Sequence, residues 1–151
     1  MDADWIEQEL KRIEDHLFNQ SNWRDIELTR DWARTFPVDS GVYALFENGT
    51  PVYFGETGSL RARVMDMLNS QHHTVRRALG ELRFKDIPGY QRATSSIKFP
   101  EHIEQLVQEA VLRLKISTVK VAFGRKEFEE FAGEKYQPEL NRSSKRGSSN
   151  A

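Results

Sequence analysis

Two tyrosines, two arginines and a glutamate carry the chemistry this sequence can do. Gly41-Val42-Tyr43 and Val52-Tyr53-Phe54-Gly55 are short β-rich runs that each deliver a tyrosine, and Glu56-Thr57-Gly58-Ser59 then opens a segment bearing Arg61 and Arg63. Hydrolysing a phosphodiester needs a held water, a group to take its proton, positive charge against the phosphate oxygens and help for the leaving oxygen. Neighbouring strands can present Tyr43 and Tyr53 side by side. A helix after the glycine turn projects Arg63 one turn in, close to an N-terminus that itself favours anions. Its guanidinium can grip two phosphate oxygens and stays charged throughout. A tyrosine titrates near about 10 when unperturbed, so Tyr43 becomes a base only with a cation beside it. Glu109 offers one carboxylate for a Mg²⁺ that keeps most of its waters. Gly55 allows close backbone approach to a substrate.

The elements that must position these groups are legible from patterning. Ile6, Leu10, Ile13 and Leu17 recur at helical spacing and predict an amphipathic helix over residues 3–18. Residues 19–25 read as a turn region, and residues 26–34 as a short helix or irregular segment that ends before Pro37. Asn48-Gly49 lies between the two tyrosine-bearing runs, a strong hairpin signal. Ser59 is placed to cap a helix whose apolar face is Leu60, Val64 and Leu68. A further short helix is expected within 72–83, a loop over 86–95 and a third strand over 96–99. Pro100 opens the clearest helix, with Ile103, Leu106, Val107, Ala110, Val111 and Leu114 on one face. Residues 118–123 read as an edge strand and 126–131 as helical. Residues 143–151 are polar and read as a disordered tail. The expected organisation is an N-terminal helical extension (1–36), a main domain (37–142) and that tail.

Gly41-Val42-Tyr43, then Tyr53-Phe54-Gly55, then Thr57, Leu60 and Arg63 resemble the GIY-YIG nuclease family. Val42 and Phe54 stand where the eponymous isoleucines are expected, an exchange between apolar β-formers. Downstream, Glu109 within Leu106-Val107-Gln108-Glu109-Ala110-Val111 resembles the family's metal-binding glutamate, and Pro138-Glu139-Leu140-Asn141 its closing element. The match spans residues 40–141 apart from 67–99. The resemblance implies an α/β (α+β) fold, a mostly antiparallel three-stranded sheet flanked by helices, here with an extra N-terminal helix. It implies Mg²⁺- or Mn²⁺-dependent cleavage of DNA, with Tyr43, Tyr53, Arg63 and Glu109 as catalytic residues. Tyr43 would deprotonate or orient the water, and Tyr53 would hold the scissile phosphate. Gly55, Thr57, Arg61 and Asn141 would support the substrate or the site. Met67 stands where the family often has a histidine; His72 and His73 could supply a proton acceptor, contact phosphate as loop residues, or do neither. A nucleic-acid-binding module that keeps the fold without turnover is the alternative. Glu109 could also simply pair with Arg113, and Asn141 could cap a turn.

Composition narrows the field. The 151-residue chain suits one domain, and its lack of cysteine excludes disulfides, zinc ribbons and thiol catalysis. No apolar run is long enough to span a bilayer and the start lacks a secretory pattern, so a cytoplasmic protein is expected. A net charge of −1 averages an acidic first 31 residues and a basic stretch over 61–98. The glycine turn lacks the Lys-Ser/Thr ending of a nucleotide-binding loop, which excludes an NTPase. DNA is the expected partner, with a homodimer or a targeting protein left open.

Overall fold

The computed structural model describes residues 3–141. Its helices are α1 (Ala3–Phe18), α2 (Arg30–Ala33), α3 (Leu60–Asp66), α4 (Thr74–Phe84), α5 (Glu101–Leu112) and α6 (Arg125–Tyr136). Its strands are β1 (Arg24–Asp25), β2 (Gly41–Glu47), β3 (Thr50–Thr57) and β4 (Lys115–Lys120). The strands form one antiparallel sheet in the order β1-β4-β2-β3, with helices on both faces. The expected class holds, but the sheet has four strands and not three.

Strand alternation divides the interior into two layers. Tyr43, Leu45 and Tyr53 face a core completed by α2 to α5, including Trp32, Leu60, Val64, Leu79, Ile103 and Val107. Val42, Ala44, Phe46 and Phe54 face the other side, against Ile13 and Leu17 of α1 and Phe128 and Ala132 of α6. The helix expected over 3–18 thus covers one face of the sheet together with α6.

Two strand expectations are corrected. The strand expected over 118–123 runs instead over Lys115–Lys120, and it lies between β1 and β2 and not at an edge. Residues 96–99 are not a strand. Thr94 closes a tight loop there, donating its N–H to the Ile97 carbonyl (2.8 Å). Phe99 turns inward onto Gly80, where a Cβ would lie 2.2 Å from its ring.

The hairpin turns at Asn48 and Gly49, both with positive φ (50° and 82°), as a tight two-residue connection requires. β3 is an edge strand, and its outward backbone groups at Phe54 and Glu56 are bound by side chains. Asn141 accepts from the Phe54 N–H (2.7 Å) and donates to the Phe54 carbonyl (2.8 Å), while a Glu129 carboxylate oxygen accepts from the Glu56 N–H (3.0 Å). Among the described residues no helix is long and apolar enough to cross a membrane.

Candidate active site

The hairpin register puts Tyr43 opposite Gly55 and Leu45 opposite Tyr53, so both tyrosines point to the same face. Their ring centroids are 5.9 Å apart. The Tyr43 ring lies directly across Gly55, where an added Cβ would fall 2.4 Å from Cζ and 2.5 Å from the hydroxyl oxygen. The closeness expected of Gly55 is therefore to Tyr43 itself. Asn141, clasping Phe54 between Tyr53 and Gly55, fixes the strand that sets this geometry.

Arg63 reaches the same place from α3. Thr57 shapes the approach: its hydroxyl accepts from the Ser59 N–H (3.1 Å) and donates to the Ser59 carbonyl (3.0 Å). Ser59 then caps α3 by accepting from the Ala62 N–H (3.2 Å). Arg63 donates through Nη1 to Asp66 (3.2 Å) and to the His72 carbonyl (3.1 Å). Burial works against its charge, yet Tyr43, Tyr53 and Asp66 outweigh burial and hold its pKa above the ordinary value. Arg61, expected to support the substrate or the site, donates its Nε to the Phe36 carbonyl (2.8 Å) and ties α3 to the segment after α2.

The third contributor is His73, which is fully buried. It is the residue before α4, and its Nδ1 accepts from the Val75 N–H (3.0 Å). That bond leaves the ring proton on Nε2, which lies 2.9 Å from the Tyr43 hydroxyl oxygen. His73 therefore donates to Tyr43 and is not the loop histidine at the phosphate surface that was one of the open readings. His72 is exposed and enters the site only through its carbonyl. Burial first, then the charges of Arg63, Arg77 and Arg76, hold the His73 pKa well below its ordinary value, so the ring is neutral. Burial, with Tyr53 adding to it and Arg63 opposing it, pushes the Tyr43 pKa well up. In the free protein Tyr43 is a phenol whose oxygen faces the N–H of a neutral imidazole.

Residues that sequence reasoning did not pick out complete the setting. The Tyr53 hydroxyl lies 3.4 Å from the Thr74 hydroxyl. Arg76, only 3% exposed, donates to Ser70 Oγ (3.0 Å), Gln108 Oε1 (2.8 Å) and Glu104 Oε2 (3.1 Å), and so locks the loop bearing His73 to α4 and α5. A polar residue immediately before a helix is a cap position, and that signal could have singled out His73 over His72.

Glu109 is exposed on α5, in a cleft of about 480 Å³ that it shares with Ser70, Arg76, Glu104 and Gln108. Among the described residues no hydrogen bond or ion pair joins it to the tyrosines or to Arg63, and no three His, Asp or Glu residues form a metal cage. An accessible carboxylate outside any three-residue cage fits a Mg²⁺ that arrives shared with a substrate phosphate and keeps its waters; it does not fit a resident ion.

The neutral state of His73 has a consequence for stability. Its ring binds a proton more readily unfolded than folded, so unfolding takes up protons below its unfolded pKa of about 6.5. Stability is full above that pH and falls as the pH drops through and below it, with a slope approaching about 1.4 kcal/mol per pH unit from this group. Urea unfolding from pH 7.5 to 5 should show that decline in wild type and a shallower one in His73→Gln.

No protein-family model matches the chain, and no curated protein matches it. Among solved structures, the chain is similar to the GIY-YIG N-terminal endonuclease domain of UvrC from Thermotoga maritima. Two point mutants of that domain, each bound to its catalytic divalent cation, give 21% and 18% identity, TM-scores of 0.43 and 0.44, and coverage of 74% of this chain and 91% of theirs. The magnesium-bound form of the same domain gives 21% identity, a TM-score of 0.38 and coverage of 74% and 92%.

Proposed function

We propose that the chain is a divalent-metal-dependent endonuclease that hydrolyses DNA phosphodiester bonds. The observation that supports this most is the convergence of Tyr43, Tyr53 and Arg63 on one patch, with a tautomer-fixed His73 donating to the Tyr43 oxygen. Arg63 binds the non-bridging oxygens of the scissile phosphate through the N–H groups its loop contacts leave free. Tyr53 holds the phosphate through its hydroxyl. Tyr43 holds the attacking water in line. A donor on its oxygen together with the nearby Arg63 charge favours the phenolate that would take the water's proton, and burial limits how much phenolate is present. Glu109 would hold Mg²⁺ or Mn²⁺, which supplies positive charge to the phosphate and acidifies bound water.

The exposure of Glu109, outside the tyrosine cluster, favours a second reading: a DNA-binding module with weak or no turnover. Supercoiled plasmid and short single-stranded, duplex and branched DNAs, incubated with Mg²⁺, Mn²⁺ or EDTA, separate the two. Metal-dependent cutting that Glu109→Ala lowers at least about 100-fold is expected. Binding without cutting on every substrate, unchanged in Glu109→Ala, would establish the second reading instead.

A further inference from the structure

Among the described residues Arg76 is the only arginine, lysine, aspartate or glutamate in the buried interior. It stands in the first turn of α4, three residues after His73, where a positive charge opposes the helix dipole. A buried ion pair is weak grounds for stability, because desolvation offsets the attraction. What the position offers is connection. All three nitrogens of the fork donate: Nε to Ser70 Oγ (3.0 Å), Nη1 to the Met67 carbonyl (3.3 Å) and Gln108 Oε1 (2.8 Å), and Nη2 to Glu104 Oε2 (3.1 Å). Glu104 extends the network, its Oε2 accepting from the Ser70 hydroxyl (3.0 Å) and its Oε1 from the Phe99 N–H (3.1 Å) at the entry to α5. One guanidinium thus touches every element that surrounds the tyrosine patch. Met67 caps the end of α3, which bears Arg63. Ser70 lies in the loop that delivers His73, and Gln108 adjoins Glu109 on α5. Ser70, Arg76, Glu104, Gln108 and Glu109 all line the same cleft. Leu79 of α4 and Ile103 and Val107 of α5 share one apolar core, but apolar contact is non-directional and tolerates sliding. A planar fork with fixed acceptors selects one register.

We infer that Arg76 is a positioning residue for cleavage: it fixes α5 against α4 and the loop before it, and so fixes where Glu109 stands relative to Tyr43, His73 and Arg63. The inference rests on the metal-dependent nuclease reading above. In that reading an ion on Glu109 and the groups around Tyr43 must meet on one phosphate, and small errors of placement are costly in rate. Arg76 lies in the stretch 67–99 that the family resemblance does not cover. Arg76→Lys keeps a charge opposite Glu104 but has a single nitrogen and cannot span the four acceptors. Gln108→Leu removes one acceptor at a half-buried position and leaves the other three.

Two measurements on the full chain test the role together. Fluorescence anisotropy with a labelled short DNA duplex, in EDTA and in Ca²⁺, reads how far an oxygen-seeking cation strengthens binding by bridging Glu109 and a phosphate. Single-turnover cutting against Mg²⁺ concentration gives the maximal rate and the half-saturating Mg²⁺. Wild type should bind several-fold more tightly in Ca²⁺ than in EDTA, and Glu109→Ala should lose that gain. Arg76→Lys should keep the EDTA affinity, lose most of the Ca²⁺ gain, need more Mg²⁺ and cut at least about 10-fold more slowly at saturation. Gln108→Leu should move the same quantities in the same direction by less, and it decides the matter if Arg76→Lys does not fold. Ca²⁺ gain and cutting at wild-type levels in the folded variants would overturn the role of Arg76 and leave the nuclease reading standing. Affinity lost equally in EDTA and in Ca²⁺ would also overturn it, since Arg76 would then support the DNA surface and not the place of Glu109. No gain from Ca²⁺ in wild type would overturn the shared ion and this role with it.

Discussion

Arg63→Ala should lower the rate of plasmid nicking at least about 100-fold while leaving the fold intact. Arg63 is partly buried; it donates to one carbonyl and one side-chain carboxylate, His72 and Asp66, and it stands beside Tyr43. Losing such contacts at a part-exposed position costs about 1 kcal/mol. The chemical loss is larger, because a preorganised cation beside Tyr43 and Tyr53 is most valuable when phosphate charge develops in a site shielded from water. Arg63→Lys keeps the charge but not the planar fork, and should recover only part of the rate. Circular dichroism and a urea midpoint close to wild type would show that the loss lies in chemistry. Wild-type nicking by a folded Arg63→Ala would remove Arg63 from the site.

Gly55→Ala should both destabilise the protein, by about 2–3 kcal/mol, and remove cleavage. The new methyl would stand 2.4 to 2.6 Å from three atoms of the Tyr43 side chain. Neither side can retreat easily. Tyr43 is 1% exposed and hydrogen-bonded to His73, and β3 is clasped next door by Asn141 at Phe54. Gly58→Ala is the control, since a Cβ there meets nothing within 4 Å. Urea midpoints and nicking rates for the pair check the point: equal behaviour of the two variants would show that Tyr43 does not need the space over Gly55.

The parts of the fold that were readable are those whose signals are local. The periodicity of Ile6, Leu10, Ile13 and Leu17 matches α1 end to end, Asn48-Gly49 marks the hairpin turn, and Ser59 caps α3. The parts misread depend on distant partners. β4 carries a lysine at each end and polar residues between, Lys115-Ile116-Ser117-Thr118-Val119-Lys120, so it reads as an exposed edge. Only its pairing with β1 on one side and β2 on the other makes it central. β1 is two residues long and shows no alternation at all. Phe99 looked like a strand residue because it is apolar, and its burial comes from Gly80 of α4. The site divides the same way. Tyr43, Tyr53, Gly55 and Arg63 are joined by one hairpin and the helix that follows, and the structure brings them together. His73 meets Tyr43 across 30 positions of chain, and its donor role depends on a cap hydrogen bond that spacing does not reveal. Glu109 matches a motif, yet its surroundings come partly from the loop after α3 and from α4, beside its own helix α5.

Metal-dependent cleavage through Arg63 is tested most directly by single-turnover nicking of supercoiled plasmid by wild type and Arg63→Ala side by side, in Mg²⁺ and in EDTA. Wild type should cut in Mg²⁺ only, and a folded Arg63→Ala protein should lose that cutting. Cutting that persists in EDTA, or that Arg63→Ala retains at the wild-type rate, would contradict it.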